Sequence, residues 1–318
     1  MEELLIPTQL GDYQLSNRLV VGTHCRLSAK NYCPSAEAQD YYAQLAPSGL
    51  IISEPLLVDL PDAADESLGN MMLGLFERSH IESWREINRV IHQNDGKIFA
   101  QLWHSENLPC LHALYPELNM RLPPDYGERN KSVLRHEMAI NQFRKGAQFA
   151  IAADFDGIEI HGALNPLTRR IDASRPSAEY RRAEGIDVDD SALLIELTDV
   201  LAAIWDRDRL GVFLSCSPEF SDNADPDPEA TLYSIVDSLR YVGVAYIHIG
   251  EASQERSILE EPASSVLDIF RSIYDGKIVF NSKELEEAIE VLRESRADLV
   301  SLSDAKTIAA KSALFQNL

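Results

Sequence analysis

Short apolar runs alternate along the whole chain with longer stretches whose apolar positions recur at three- and four-residue spacing. The short runs read as strands: Arg18 to Val21, Gly49 to Ser53, Lys97 to Leu102, Gly157 to Ile160, Gly211 to Ser215, Ala245 to Ile249, Lys277 to Phe280 and Asp298 to Leu302. The periodic stretches read as helices. They are Ser35 to Ala46 with Ser35 as its cap, Ser79 to Gln93, Val133 to Ala153, Ser191 to Trp205, Pro228 to Tyr241, Ala263 to Tyr274, Glu284 to Glu294 and Asp304 to Ala313. Leu4 to Leu15, with turn residues Pro7 and Gly11-Asp12, predicts a short hairpin that closes one end. Strictly alternating strand–helix units require right-handed parallel crossovers. Eight of them predict an α/β fold, a single (β/α)8 TIM barrel over residues 1–318, with its site at the carboxyl ends of the strands. A doubly wound open sheet is the competitor. No G-x-G-x-x-G follows the first strand, so a dinucleotide-binding half has no support. Trp103 to Ser132 and Gly162 to Asp190 are long βα loops of the kind that build walls and lids.

Composition changes the picture only by exclusion. The 318 residues are 45% hydrophobic and 25% charged, enough for a large core without disulfide staples. A net charge of −22 and a pI near 4.7 argue against a nucleic-acid partner or an anionic membrane surface. A phosphate-bearing ligand would need a local basic cluster, and the one dense candidate is Arg169, Arg170, Arg175, Arg181 and Arg182 around Tyr180. Cys25, Cys33, Cys110 and Cys216 have no metal-finger spacing, so no metal is expected and the thiols read as reduced. No apolar run approaches a membrane span, and the start Met1-Glu2-Glu3 lacks a signal-peptide charge pattern. The expectation is a soluble, cytoplasmic protein acting on a small molecule, with a homo-oligomer left open.

The candidate chemistry sits at strand ends. His161 ends the run Gly157-Ile158-Glu159-Ile160 and is followed by small residues, Gly162 and Ala163. It suits hydrogen-bond donation to a substrate oxygen, or acid–base work near neutral pH. The bland alternative is a strand-end histidine bonded to a loop carbonyl. Gln101 offers an amide that matches an imide edge, or a polar mouth residue bonded to backbone. Trp103 and His104 read as wall residues able to stack on a planar ligand, and Cys25 as a thiol after the first strand.

At this point the chain resembles the old yellow enzyme family, FMN-dependent barrel oxidoreductases that reduce activated alkenes with NAD(P)H. The resemblance runs in order through Leu10-Gly11-Asp12-Tyr13-Gln14-Leu15-Ser16-Asn17-Arg18, Gly49 to Glu54, Gly96 to His104 and Asp154 to Ala163. It implies that Cys25 and Thr23 lie in the first-strand segment that touches the flavin. Gln101 would bond the flavin's pyrimidine edge, and Pro55 would stand where a backbone N–H faces it. His161 would be the first of two residues holding the substrate's carbonyl oxygen. The second falls on Leu164, with Asn165 adjacent, and the proton-donating tyrosine falls on Pro166.

Other positions depart further. The fifth-strand arginine beside the flavin is Phe213, the glycines after the seventh strand fall near Asn281-Ser282, and the phosphate-binding Gly-Arg pair is Ser303-Asp304. A phosphate facing Asp304 loses a charge-assisted pair and gains a repulsion. Two readings follow. One is a divergent flavin oxidoreductase that holds FMN weakly; the other is a flavin-free barrel, a pseudoenzyme, ligand-binding module or non-redox catalyst using His161, Gln101 and Cys25.

Overall fold

The apolar runs do pair as strands, and the ladder closes on itself. The computed structural model describes residues 2–22, 29–35, 37–60, 66–105, 133–163, 192–215, 228–250, 263–282 and 284–302. A 3-10 turn at Glu2–Leu5 leads into the hairpin β1 (Thr8–Leu10) and β2 (Tyr13–Leu15), followed by β3 (Leu19–Val21). A small antiparallel ladder, β4 (Ala29–Lys30) with β5 (Cys33–Pro34), precedes α1 (Ala38–Leu45). Next come β6 (Leu50–Ile52), β7 (Leu56–Leu57), α2 (Glu66–Gly69), β8 (Leu73–Gly74) and α3 (Arg78–Gln93). Strand and helix then alternate: β9 (Ile98–Trp103), α4 (Val133–Ala152), β10 (Gly157–Ala163), α5 (Ala192–Trp205), β11 (Leu210–Ser215) and α6 (Pro228–Val242). They continue through β12 (Tyr246–Gly250), α7 (Ala263–Ile273), β13 (Ile278–Ser282), α8 (Leu285–Arg293) and β14 (Leu299–Leu302).

The parallel order β10-β11-β12-β13-β14-β3-β6-β9, with β9 pairing back to β10, is a closed eight-stranded barrel. The open-sheet competitor is thereby excluded. Outward strand residues such as Ile51, Ile158, Val212 and Ile247 pack with Trp84, Phe143, Leu197 and Leu267 of the surrounding helices in one core. The opposite end of the barrel is filled from inside. Leu10 and Leu15 of the hairpin meet Val20, Leu50, Phe99, Tyr246, Val279 and Leu299 there. The tip of that hairpin needs Gly11, which has φ +50° and whose Cβ would lie 1.8 Å from the Asp208 carbonyl oxygen.

Two clamps tie strands on this same face. Asp156, just before β10, accepts the Ile98 N–H at 2.9 Å and pairs with Lys97 Nζ at 3.4 Å, while its own N–H donates to the Ile98 carbonyl at 2.9 Å. Asp298, just before β14, accepts the Ile278 N–H at 3.1 Å and Lys277 Nζ at 3.0 Å, and its N–H donates to the Ile278 carbonyl at 2.9 Å.

Three expectations are corrected. Ser35 does not cap α1: the helix starts after Glu37 without a side-chain cap, and the Ser35 carbonyl accepts the Ala38 N–H instead. The expected strand Gly49 to Ser53 is longer, because β6 resumes as β7 beyond Ser53-Glu54-Pro55. Ile52 pairs with Phe99 and Leu56 with Leu102, so one extra residue bulges out of the second strand. The ladders β4–β5 and β7–β8 carry no periodic signal of their own and were not expected. The expected last helix, Asp304 to Ala313, lies outside the described residues. Among the described residues, no helix is long and apolar enough to cross a membrane.

Candidate active site at the barrel mouth

Strand alternation decides which side chains face the barrel axis. On β9 these are Phe99, Gln101 and Trp103; on β10, Gly157, Glu159 and His161. Register places Glu159 opposite Gln101, His161 opposite Phe213 on β11, and Phe213 opposite His248 on β12. The interior is therefore layered. Phe99 and Tyr246 lie towards the hairpin, a polar layer of Gln101, Glu159 and His248 sits above them, and an aromatic layer of Trp103, His161 and Phe213 lies nearest the mouth.

The polar layer is a continuous hydrogen-bonded chain of fully buried groups. Trp103 Nε1 donates to Gln101 Oε1 at 2.7 Å, Gln101 Nε2 donates to Glu159 Oε1 at 2.7 Å, and His248 Nδ1 meets Glu159 Oε2 at 2.9 Å. Gln101, Glu159 and His248 are each 0% exposed. Burial first, then the neighbouring Glu159, keep the Tyr246 phenol protonated. The second strand's bulge supports this layer. Pro55, which has no N–H to offer the ladder, is buried inside it, and Ser53 Oγ accepts the Gln101 backbone N–H at 3.0 Å.

The aromatic layer is a stack. The His161 ring lies 3.7 Å from the Trp103 ring centroid on one side and 4.7 Å from Phe213 on the other. Phe213 turns its edge to His248, centroids 4.9 Å apart. Gly250 makes room for it: a Cβ there would lie 2.7 Å from the Phe213 ring. His161 Nδ1 is buried without a hydrogen-bond partner among the described residues. Burial pushes the His161 pKa down to about 3, His248 adds to the effect, and a backbone hydrogen bond opposes it. Of the two roles expected for His161, the low pKa bears on the acid–base one: the ring is neutral near pH 7.

A stability prediction follows. The folded pKa is depressed, so as pH falls the unfolded chain binds a proton at this histidine before the folded one does. The contribution is complete above about pH 6.5 and is lost as pH falls towards about 3, at up to about 1.4 kcal/mol per pH unit. Urea unfolding at about pH 6.5 and pH 5 should differ by about 2 kcal/mol more in the wild type than in His161→Leu. Equal acid sensitivity of the two proteins would contradict it.

Of the residues singled out in the sequence, Gln101, His161 and Phe213 come together at the mouth. Both ends of the Gln101 amide are engaged by side chains rather than by backbone. Trp103 faces inward, but His104 points outward, bonded to Gln142 Oε1 at 2.7 Å and stacked on Phe143, so it is no mouth wall. Thr23, Cys25, Leu164, Asn165, Pro166, Ser303 and Asp304 lie outside the described residues, as do Tyr180 and the arginines from Arg169 to Arg182. Glu159 and His248 were missed. Their signal was present, since Glu159 stands two residues before His161 on one strand face and His248 interrupts an apolar strand.

Residues 3–170 match the NADH:flavin oxidoreductase / NADH oxidase family. Relatives include 12-oxophytodienoate reductase 2 of Arabidopsis thaliana, 26% identical, covering 94% of this chain and 84% of that protein. A probable flavin mononucleotide-dependent alkene reductase of Leishmania infantum is also 26% identical, over 94% of this chain and 86% of its own. In fold, the chain is similar to the old yellow enzyme from Trypanosoma cruzi, with TM-score 0.72, 24% identity and coverage of 95% and 88%. It is also similar in fold to morphinone reductase, with TM-score 0.75, 23% identity and coverage of 94% and 85%. With the barrel, the strand-end histidine and these matches together, the chain belongs to the NADH:flavin oxidoreductase / NADH oxidase family, the FMN-dependent old yellow enzyme group that takes NAD(P)H as reductant.

Proposed function

We propose that this protein is a divergent oxidoreductase of the alkene-reducing type, acting on an activated alkene or enone, with FMN held weakly and exchangeably. The family and relatives named for alkene and oxophytodienoate reduction support the substrate class. His161 is the residue assigned to the carbonyl oxygen: neutral, fixed between Trp103 and Phe213, with an unpartnered ring nitrogen. Asn165 is its proposed companion, and Thr23, Cys25, Pro55 and Gln101 the proposed cofactor neighbours.

The observation that carries the weak-cofactor reading is Phe213. Its ring stacks on His161 where the family resemblance expects a cation, and it is 4% exposed. Gln101 already spends its amide on Glu159 and Trp103. Pro55 offers no N–H. These residues do not fit a tightly held FMN. A dry, apolar ring in place of a guanidinium removes both a hydrogen-bond donor and a positive charge from the edge of the site.

The test is the absorbance of the purified protein between roughly 350 and 500 nm, followed by FMN titration and NAD(P)H oxidation with a cyclic enone. The expected result is little colour on purification and turnover that rises with added FMN towards saturation at micromolar or weaker affinity. A yellow protein carrying stoichiometric FMN through dialysis overturns it. A flavin-free binding barrel is the second reading, favoured by the closed Trp103–His161–Phe213 stack; enone binding with no FMN binding at any concentration decides for it.

A further inference from the structure

We propose that Glu159 and His248 form a second acid–base centre, which exchanges protons with the carbon next to a carbonyl held by His161. The inference rests on the reading of His161 given above and adds a reaction that needs neither flavin nor nicotinamide.

Four observations carry it. Glu159 is fully buried inside the barrel, and its two oxygens meet Gln101 Nε2 and His248 Nδ1. A carboxyl group on Nδ1 fixes the ring's orientation and decides which nitrogen bears the proton, the arrangement by which imidazole bases are aimed. The other nitrogen, His248 Nε2, is buried and has no hydrogen-bond partner among the described residues. A buried polar atom left open beside a ligand site calls for an explanation, since such groups are almost always paired. Finally, the His248 and His161 rings flank one side chain, Phe213, at 4.9 and 4.7 Å. The two rings thus lie one side chain apart, and each has an unpartnered nitrogen among the described residues.

The chemistry is that of enolisation. His161 donates a hydrogen bond to the ketone oxygen as a neutral imidazole, a suitable electrophile for an oxygen that gains negative charge. His248 Nε2 takes a proton from the α carbon. The C–H bond breaks, its electron pair forms the Cα=C bond, and the carbonyl π pair moves onto oxygen. The proton on Nε2 exchanges with solvent while the Phe213 ring stands aside, and delivery of a solvent-derived proton from Nε2 to carbon regenerates the ketone, with no oxidant consumed. Phe213 covers the dyad, so its ring has to turn aside for the ketone to reach Nε2.

Cyclohexanone with the purified chain in D2O, followed by proton NMR without FMN or NAD(P)H, tests this. Deuterium should enter the α position at least about tenfold faster than with free imidazole at the same concentration. His248→Gln should return the rate to background. Glu159→Gln should do the same by a different route: its amide N–H donates to Nδ1, which moves the ring proton onto Nε2 and removes the acceptor. Phe213→Ala should speed exchange by uncovering the dyad. Wild-type exchange no faster than imidazole, or exchange that survives in His248→Gln, overturns the proposal. If that variant does not fold, the ring nitrogens of the wild type decide: neutral His248 protonated on Nε2 alone overturns it, and protonation on Nδ1 supports it. A ketone that perturbs the His161 ring signals yet does not exchange overturns the dyad alone. One that perturbs nothing overturns the assignment of His161 and this proposal with it.

Discussion

Phe213→Arg combined with Asp304→Arg is expected to tighten FMN binding on the order of 10²- to 10⁴-fold, and by more than either change alone. The two act on different parts of the cofactor. In the proposed cofactor arrangement, arginine at position 304 would replace a repulsion against the phosphate with a charge-assisted, two-pronged pair. Arginine at position 213 would supply a donor on the flavin's side of the site, where the phenyl group has none. It would stand near the buried Glu159 layer, which offsets part of the cost of bringing a guanidinium into the barrel. Quenching of FMN fluorescence during titration measures the change. Stoichiometric submicromolar binding by the unmodified chain would show that other groups hold the phosphate, with Arg175 and Arg181 the first to examine.

Removal of Glu159 should have the largest effect on stability. Glu159→Ala leaves Gln101 Nε2 and His248 Nδ1 without their acceptor in a fully buried layer, and opens a void between them. Breaking one side of such a buried network costs about 3–5 kcal/mol. Glu159→Gln keeps the shape and the acceptor for Gln101, so its cost should be about 1–2 kcal/mol. Urea unfolding of both variants, with the slope unchanged, measures this. A Glu159→Ala cost below about 1 kcal/mol would mean that the chain of hydrogen bonds is loosely held.

The barrel was legible in the sequence because its strands are short apolar blocks in strict alternation with helices, a pattern that admits few topologies. What escaped is where local pattern carries no information. The bulge at Ser53-Glu54-Pro55 depends on a serine hydroxyl replacing a carbonyl as the partner of Gln101 N–H, a contact between strands that neither strand announces. Ser35 looked like a helix cap, yet the chain turned two residues later and used its carbonyl instead. At the site, His161 and Gln101 stood out as polar strand ends, but Gln101 was read towards a ligand when it also reaches sideways to Glu159. His248 lies 89 residues and two barrel strands beyond Glu159, and only the curl of the sheet across β11 brings the two side chains together. The protonation state of His161 was equally out of reach, since it is set by burial from several elements at once.

The two aspartate clamps at the hairpin end repeat each other half a barrel apart. Asp156 joins the third and fourth barrel strands, Asp298 the seventh and eighth, with a lysine, a first-residue N–H and a returned backbone bond in matching places. The barrel thus carries an internal twofold echo on the hairpin face, and none in the Trp103–His161–Phe213 stack. That division gives the molecule a keel and a deck. Ballast at one end is duplicated and made of backbone and side chains alone, so the opposite rim can be refitted residue by residue without the hull coming apart.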